Sequence, residues 1–298
     1  MAQLPLVTII IPTYHDWERL YICLEALKNQ TYPAGLFEVI VINNDPNDLM
    51  PAQYKLQENF RLLSEGKPGS YAARNKGILE ATGEILGFTD SDCVPHADWI
   101  ENAVKKFSND NVDRVAGNIE LIYKDHTKRT WVELYESIYE FDQKRIVSVH
   151  KASVTANLFV RKELFQKVGL FDLTKMSGED FGWNRRANLH NFNIIYGEDV
   201  KISHPSRSTF SEFVSKKRRE FGGKKTARSK GFKQLVKNVF YLPFLFYTIV
   251  LRKNYNLFFR ERRLSLIDKA KVTVVNIYSY FVFASEFFKL IFGGQRAR

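Results

Sequence analysis

Two aspartates one residue apart, Asp90 and Asp92, follow a tight apolar run in the stretch GFTDSDCVP, residues 87–95. Two carboxylates that near each other cannot both leave water without a cation beside them. A divalent ion with oxygen ligands, Mg²⁺ or Mn²⁺, suits them, and such an ion keeps positions open for substrate phosphates. A solvated turn or a helix cap would account equally for the pair taken alone. The stretch KPGSYAARNKG, residues 67–77, adds a glycine-containing loop and then Arg74 and Asn75 on the way to the same strand. A guanidinium fork there can neutralise a diphosphate, or it can be an ordinary exposed helix charge. Further on, SGEDFGWNRRA places Glu179 and Asp180 behind a glycine and ahead of a helix. A carboxylate at a helix start is commonly a cap, and it is also a place where a general base could wait for a hydroxyl. His204, in KISHPSR, follows a strand-like stretch and is open to a structural or a metal-binding reading.

These residues need a frame. The β-branched run Val7–Pro12 reads as a buried parallel strand stopped by proline. Leu20, Cys23, Leu24 and Leu27 recur at helical spacing, predicting a helix over roughly 16–29. Phe37–Ile42 and Phe60–Leu63 read as strands, Ser70–Ala81 as a helix stopped by Gly83, and Glu84–Thr89 as the strand that delivers the aspartates. Ile100, Val104 and Phe107 mark another helix, and Val112–Tyr123 is strand-like. Such alternation implies an α/β fold with a mostly parallel sheet. Ligands of these sheets bind beyond the carboxyl ends of the strands. The loops after Pro12, after Ile42 and at Asp90–Asp92 therefore share one rim, at the mouth of a nucleotide-type crevice.

The chain has 298 residues, 45% of them apolar and 26% charged, as in a globular protein with a sizeable core. Its net charge of +11 is unevenly spread. Residues 1–205 carry 23 Lys and Arg against 28 Asp and Glu, a net of −5, while residues 206–298 carry 21 against 5, a net of +16. That shift predicts a boundary near residue 205. Two cysteines, Cys23 and Cys93, exclude a disulfide framework or a cysteine-rich zinc site and fit a reducing compartment. The start, MAQLPLVTIIIPTY, lacks a basic region and a small-residue cleavage site, so no signal peptide is expected.

Taken in order, VTIIIPTYHDWERL, EVIVINND, GSYAARNKGILEATGEILGFTDSDCVP, LFQKVGLFD and GED resemble the family 2 glycosyltransferases of the GT-A fold, over roughly residues 5–210. The resemblance implies a GT-A, Rossmann-like catalytic domain over 1–205, with a nucleotide-sugar half of about 1–95 and an acceptor half of about 96–205. It implies an inverting, metal-dependent transfer from a nucleotide-diphosphate sugar to a hydroxyl. By that likeness Pro12, Thr13, Tyr14 and Asn43 line the base and ribose site, and Arg74 sits near the diphosphate. Asp90 and Asp92 hold ribose and metal, Asp180 is the base, Glu179 helps orient the acceptor, and His204 matches a further metal position. One departure stands out. Many members carry Asp-Asp or Asp-Asn after the second strand, whereas this chain has Asn43-Asn44-Asp45, which leaves the donor base open.

In the basic third, Thr209 and Glu212 read as a capping box opening a helix that carries Phe210, Phe213 and Val214 on one face and ends at Gly222-Gly223. Val239–Leu251 is free of charge, and Val272–Phe292 is interrupted by Asn276, Glu286 and Lys289. Neither reaches the ~20 clean apolar residues of a spanning helix. Aromatic and apolar runs flanked by Lys and Arg suit helices on an anionic membrane surface, peripheral or monotopic on its cytoplasmic face. A helical appendage packed on the catalytic domain is the plainer alternative. Nucleic acid is not expected, because the basic residues alternate with long aromatic runs. A nucleotidyltransferase would carry a glycine-rich basic loop after its first strand, and PTYHDWER has no glycine. A non-catalytic nucleotide-sugar-binding protein would have no use for a base at Asp180. The expected acceptor is a glycan or lipid-linked glycan, such as a surface-polysaccharide precursor.

Overall fold

The computed structural model describes residues 4–125, 127–222 and 243–291. They form two compact units. The first takes residues up to Ile122 together with Phe141–Thr174 and Glu179–Pro205. The second takes Tyr123–Glu140, Lys175–Gly178 and the described residues from Ser206 onward.

The first unit is built on an eight-stranded sheet. Strands β1 (Val7–Thr13), β2 (Phe37–Asn43), β3 (Phe60–Ser64) and β4 (Ile85–Thr89) run parallel in the order β3-β2-β1-β4. All seven residues of β1 are buried, because helices cover both faces and every position, not alternate ones, must be shielded from water. Ile9 and Ile11 pack with Leu20, Cys23, Leu24 and Leu27 of α1 (Trp17–Lys28). Ile10 packs on the opposite side with Ala73 and Ile78 of α2 (Ser70–Glu80).

Past β4 the sheet stops being parallel. β7 (Asn157–Arg161) inserts antiparallel between β4 and β6 (Arg114–Ile122), and β6 runs parallel to β8 (Ile194–Pro205). A two-residue strand β5 (Val94–Pro95) closes the edge against β8. The pairing of β6 with β8 jumps from Gly117–Gly197 to Asn118–Lys201, so residues 198–200 bulge out of β8. Asn157 plugs this break. Its Nδ2 donates to the carbonyls of Asn118 (2.8 Å) and Val200 (2.9 Å), and its Oδ1 accepts from Trp99 Nε1 (2.9 Å). A Cβ on Gly117 would lie 2.3 Å from Asn157 Nδ2 and from the Val200 carbonyl, so only glycine leaves room for the plug. The plug fixes where Lys201–Pro205 fall opposite Asn118–Ile122, and therefore where His204 stands. Three further helices complete the unit: α3 (Trp99–Lys106), α5 (Gln143–His150) and α6 (Leu164–Val168), followed by α7 (Glu179–Leu189) behind the site.

The second unit is helical. Helix α4 (Trp131–Tyr139) opens with a capping box of Thr130 and Glu133. Helix α8 (Phe210–Gly222) opens with the expected box, Glu212 bonding the Thr209 N–H and Thr209 Oγ1 accepting from the Glu212 N–H. A π-helical stretch, Tyr247–Arg252, runs into α9 (Lys253–Phe259), and α10 (Leu266–Ile291) follows. Val132, Leu134 and Tyr135 of α4 share a core with Phe213, Leu257, Val272 and Val275. Residues 123–140, expected to stay with the first 205, are held in this unit by that core. Gly223, residues 239–242 of the uncharged run and Phe292 lie outside the described residues. No described helix is long and apolar enough to cross a membrane.

The plug yields a test of the fold. Asn157→Ala leaves the Trp99 N–H and two carbonyls buried without this partner, each at a cost of about 1–3 kcal/mol, so unfolding free energy should fall by about 3 kcal/mol or more. Trp99→Phe removes one of the three bonds and should cost about a third as much. Urea unfolding at unchanged m-value reads both, and an Asn157→Ala protein as stable as the parent would show that the bulge needs no plug.

Candidate active site

The rim is built by neighbours in the sheet. Thr13 and Asn43 are paired across β1 and β2, and both are buried. Pro12 is buried too, while Tyr14 stands 63% exposed at the start of the loop. His15 follows with φ +52°, a left-handed conformation uncommon outside glycine. Two carboxylates hold it there, Asp45 at 3.0 Å from Nε2 and Asp48 at 3.4 Å from Nδ1. Trp17 Nε1 donates to the same Asp48.

The two asparagines after β2 have a structural reason. Asn43 Nδ2 donates to the carbonyls of Asp45 (2.8 Å) and Asp48 (2.7 Å), and its Oδ1 accepts from the Asp45 N–H. Asn44 Nδ2 donates to the carbonyls of Glu65 and Lys67, and its Oδ1 accepts from the Gly69 N–H. An aspartate could accept at either place but could not donate. Asn43 therefore shapes its own loop, and both its amide hydrogens are occupied there. Asn44 ties the loop after β2 to the glycine turn that opens α2.

Behind this rim lies a charged network. Arg74, 3% exposed on α2, donates through Nη2 to Asp90 Oδ1, while its Nε is buried with no partner among the described residues. One turn earlier on the same helix face, the Tyr71 hydroxyl donates to Asp180 Oδ1 at 2.7 Å. The Glu179 backbone N–H donates to the Tyr71 oxygen, and the Thr155 N–H reaches Asp180 Oδ2 at 3.3 Å. Asp180 keeps part of its surface open, yet burial pushes its carboxyl above the usual carboxylate range, and Asp90 adds to this. Arg74, the Tyr71 hydroxyl and the Thr155 N–H act in the opposite sense. Burial also raises the Tyr71 phenol, with Asp180 beside it, so the phenol stays protonated and the bond has one polarity.

The Glu179 side chain is 0% exposed, its Oε1 accepting from Arg186 at 2.6 Å and from the Asp172 N–H at 3.1 Å. Adjacent residues at a helix start point apart, and here Glu179 is buried while Asp180 keeps part of its surface open. The Glu179 backbone N–H bonds the Tyr71 oxygen.

Asp92 stands apart from Asp90. Its carboxylate lies 3.6 Å from His204 Nε2 and 3.6 Å from an Arg19 guanidinium nitrogen. His204 is 3% exposed, and its Nδ1 lies 2.7 Å from the Pro205 carbonyl. A carbonyl only accepts, so Nδ1 carries a proton and Nε2 is the ring nitrogen turned towards Asp92. An imidazole nitrogen and a carboxylate oxygen form a donor set that suits a cation. Cys93 Sγ lies in the same cluster, but burial, with Asp90 and Asp92 beside it, pushes that thiol well up and keeps it protonated. Asp90 is not part of this group of ligand atoms.

Of the residues singled out in the sequence, Arg74, Asp90 and Asp180 fall in one network, Asp92 and His204 in a second, and Thr13 and Asn43 side by side on the rim. Tyr71 escaped notice although it lies three residues before Arg74, the spacing that puts two side chains on one helix face. His15, Asp48 and Arg19 also escaped, since nothing in their spacing links three separate segments.

The Glycosyl transferase family 2 sequence profile matches residues 8–169. Glycosyltransferase AglE of Haloferax volcanii is 38% identical over 220 residues, covering 72% of this chain and 71% of the relative. A Methanococcus voltae protein, dolichyl N-acetyl-alpha-D-glucosaminyl phosphate 3-beta-D-2,3-diacetamido-2,3-dideoxy-beta-D-glucuronosyltransferase, is 23% identical over 70% of this chain and 69% of its own. Among solved structures, the mannosyltransferase PcManGT from Pyrobaculum calidifontis, in complex with GDP-Man and Mn²⁺, superposes with a TM-score of 0.58 at 18% identity. That match covers 99% of this chain and 77% of the other, and it shows a shared GT-A fold. With the profile spanning more than half of the chain and the AglE likeness nearly three quarters of it, this protein belongs to glycosyl transferase family 2 and is a glycosyltransferase.

Proposed function

We propose that the protein is an inverting, metal-dependent transferase that moves a sugar from a nucleotide-diphosphate donor to a hydroxyl of a lipid-linked glycan. The work would be done at the cytoplasmic face of an anionic membrane. The observation that carries the reading is the placement of Asp180. It is a partly open carboxylate, oriented by Tyr71 and Thr155, in one network with Arg74 and Asp90. The relatives named above, one of them acting on a dolichyl-linked phosphate by its name, support the donor and acceptor classes.

The chemistry assigns each residue one task. As the acceptor oxygen bonds to the anomeric carbon, Asp180 takes its proton, and the bond from that carbon to the diphosphate oxygen breaks on the opposite face. Arg74, with a free Nε–H, receives negative charge from the departing diphosphate. Asp92 and His204 would hold a divalent ion, which would supply further positive charge to that leaving group. Pro12, Thr13 and Tyr14 line the nucleoside side of the rim, with Asn43 shaping the loop opposite.

Asp180→Asn keeps the shape and removes the proton acceptor, so transfer should fall at least ~100-fold while donor binding persists. Near-parental turnover by this variant would remove Asp180 from the role of base.

The pH profile tests the same assignment. The base works ionised, so the rate should rise with pH through an acid limb lying above the ordinary carboxylate range, as burial of Asp180 dictates. The Tyr71 bond favours the carboxylate, and Tyr71→Phe should therefore move that limb to higher pH. A limb that moves down, or stays put, would contradict the network.

Nucleotide binding should depend on Mn²⁺ or Mg²⁺ through Asp92 and His204. In Asp92→Ala and His204→Ala the thermal stabilisation by nucleoside diphosphate plus metal should be lost, each measured against that variant's own melting temperature without ligand. Undiminished stabilisation in the presence of a chelator would overturn the metal requirement.

A further inference from the structure

Helix α10 buries Val272, Val275, Val282, Phe283 and Phe287, and among them Lys269, Asn276, Ser279 and Glu286, each 8% exposed or less. Its outer side carries Ile267, Val274, Tyr278, Phe281 and Phe288, each at least 38% exposed and spaced by seven, four, three and seven residues. In water an exposed apolar stripe costs solvation, and buried polar groups need partners. Asn276 Nδ2 bonds Asn254 Oδ1 at 2.7 Å and Lys269 Nζ reaches the Phe258 carbonyl at 3.3 Å, while Asn276 Oδ1 and Ser279 Oγ are buried with no partner among the described residues.

The adjoining helix repeats the pattern. Tyr247, Leu251, Tyr255 and Phe258 are exposed at 42% or more along the π-helical stretch and α9. Beside them Lys253 is half-buried, donating to the Tyr135 hydroxyl, and desolvation of its ammonium with Lys217 beside it pushes it down to about 8. The two stripes join through rings, Phe246 meeting Tyr280 at 5.2 Å and Tyr280 meeting Phe281 at 5.6 Å. Arg252, Arg260 and Arg262 are exposed where the first stripe ends.

We propose that this joined aromatic face is a monotopic membrane-insertion surface, its stripes lying in the acyl–headgroup boundary and its arginines meeting anionic headgroups. Lipid is the occupant that takes up two joined aromatic stripes with exposed arginines beside them. Tyrosines and arginines at the margin match the chemistry of the headgroup layer. No described helix can span, so the face lies along the surface. The proposal rests on the membrane placement suggested above, not on the transfer chemistry, and it replaces electrostatic adsorption by insertion as the main holding force.

The test uses the full-length protein with vesicles of phosphatidylcholine, with and without 30% phosphatidylglycerol. The expected result is co-sedimentation, strengthened by phosphatidylglycerol, that persists when 1 M salt screens charge. The double variant Phe258→Glu/Phe281→Glu should lower the vesicle partition coefficient by about tenfold or more, since each removes a buried aromatic. Leu189→Glu, at a still more exposed apolar residue of the first unit, should leave it unchanged. Metal-dependent stabilisation by nucleoside diphosphate, measured on the same samples, shows that the variants are folded and reads the catalytic proposal separately. Complete release by salt would reduce the contact to electrostatics and overturn insertion. A protein that ignores vesicles but forms a dimer broken by the double variant would assign the face to a second copy.

Discussion

Three carboxylates, Asp90, Asp92 and Asp180, come to one end of a buried sheet where a diphosphate is expected to bind, and the site depends on how that negative charge is balanced. Asp90 has a direct guanidinium partner in Arg74. Asp92 has Arg19 and the edge of His204. Asp180 receives direct bonds only from neutral donors, the Tyr71 hydroxyl and the Thr155 N–H. That difference sorts their chemistry. A carboxylate bonded by neutral donors in a desolvated place, with the nearby Arg74 charge acting through space and not by a direct bond, is a good proton acceptor, and burial raises the Asp180 carboxyl. The proposal of Asp180 and not Asp90 as the base rests on these partners and not on position alone.

Much of this was readable from residue order. The strands β1, β2 and β4 were legible because strands buried on both faces are written as continuous β-branched runs, and the aspartates follow from where β4 ends. The second half of the sheet was not. Strand β7 is five residues, NLFVR, whose pattern a short buried helix would share, and its antiparallel insertion depends on pairing with β4, far away in the chain. The bulge of β8 is similarly silent, since Gly117, Asn157 and Trp99 are separated by tens of residues and meet only in space. In the site, pairs on one element could be found, as Tyr71 with Arg74, while His15 between Asp45 and Asp48 needed two loops at once.

The Asn43-Asn44 pair shows how a departure from a family pattern can be conformational before it is functional. Each amide donates to two carbonyls and accepts one N–H, the use of a group with two donors and an acceptor. With both asparagines engaged in loop building, the carboxylates of that loop, Asp45 and Asp48, are turned to His15. A histidine held at positive φ between two carboxylates is a strained arrangement that its partners stabilise. The rim is thus shaped by amides and closed by a charged clamp.

The basic C-terminal third has a different lesson, because a net charge of +16 in the sequence is not a charge of +16 on a surface. Lys216 and Lys217 lie against Glu140, each at 2.8 Å, and Lys217 is 5% exposed. Arg207 lies at 3.0 Å from Glu136, which is also buried. Lys253 is inside the same cluster, facing Tyr135 and Tyr139. Part of the basic character is therefore consumed in holding helices together. Burying such pairs is costly unless every charge is matched, and here Glu136 and Glu140 each have cationic partners. Outside, Phe281, Phe258 and Phe259 stand 42% to 72% exposed. A unit that spends part of its charge inside and leaves aromatic rings outside fits the proposed insertion surface better than one whose whole +16 would face an anionic membrane.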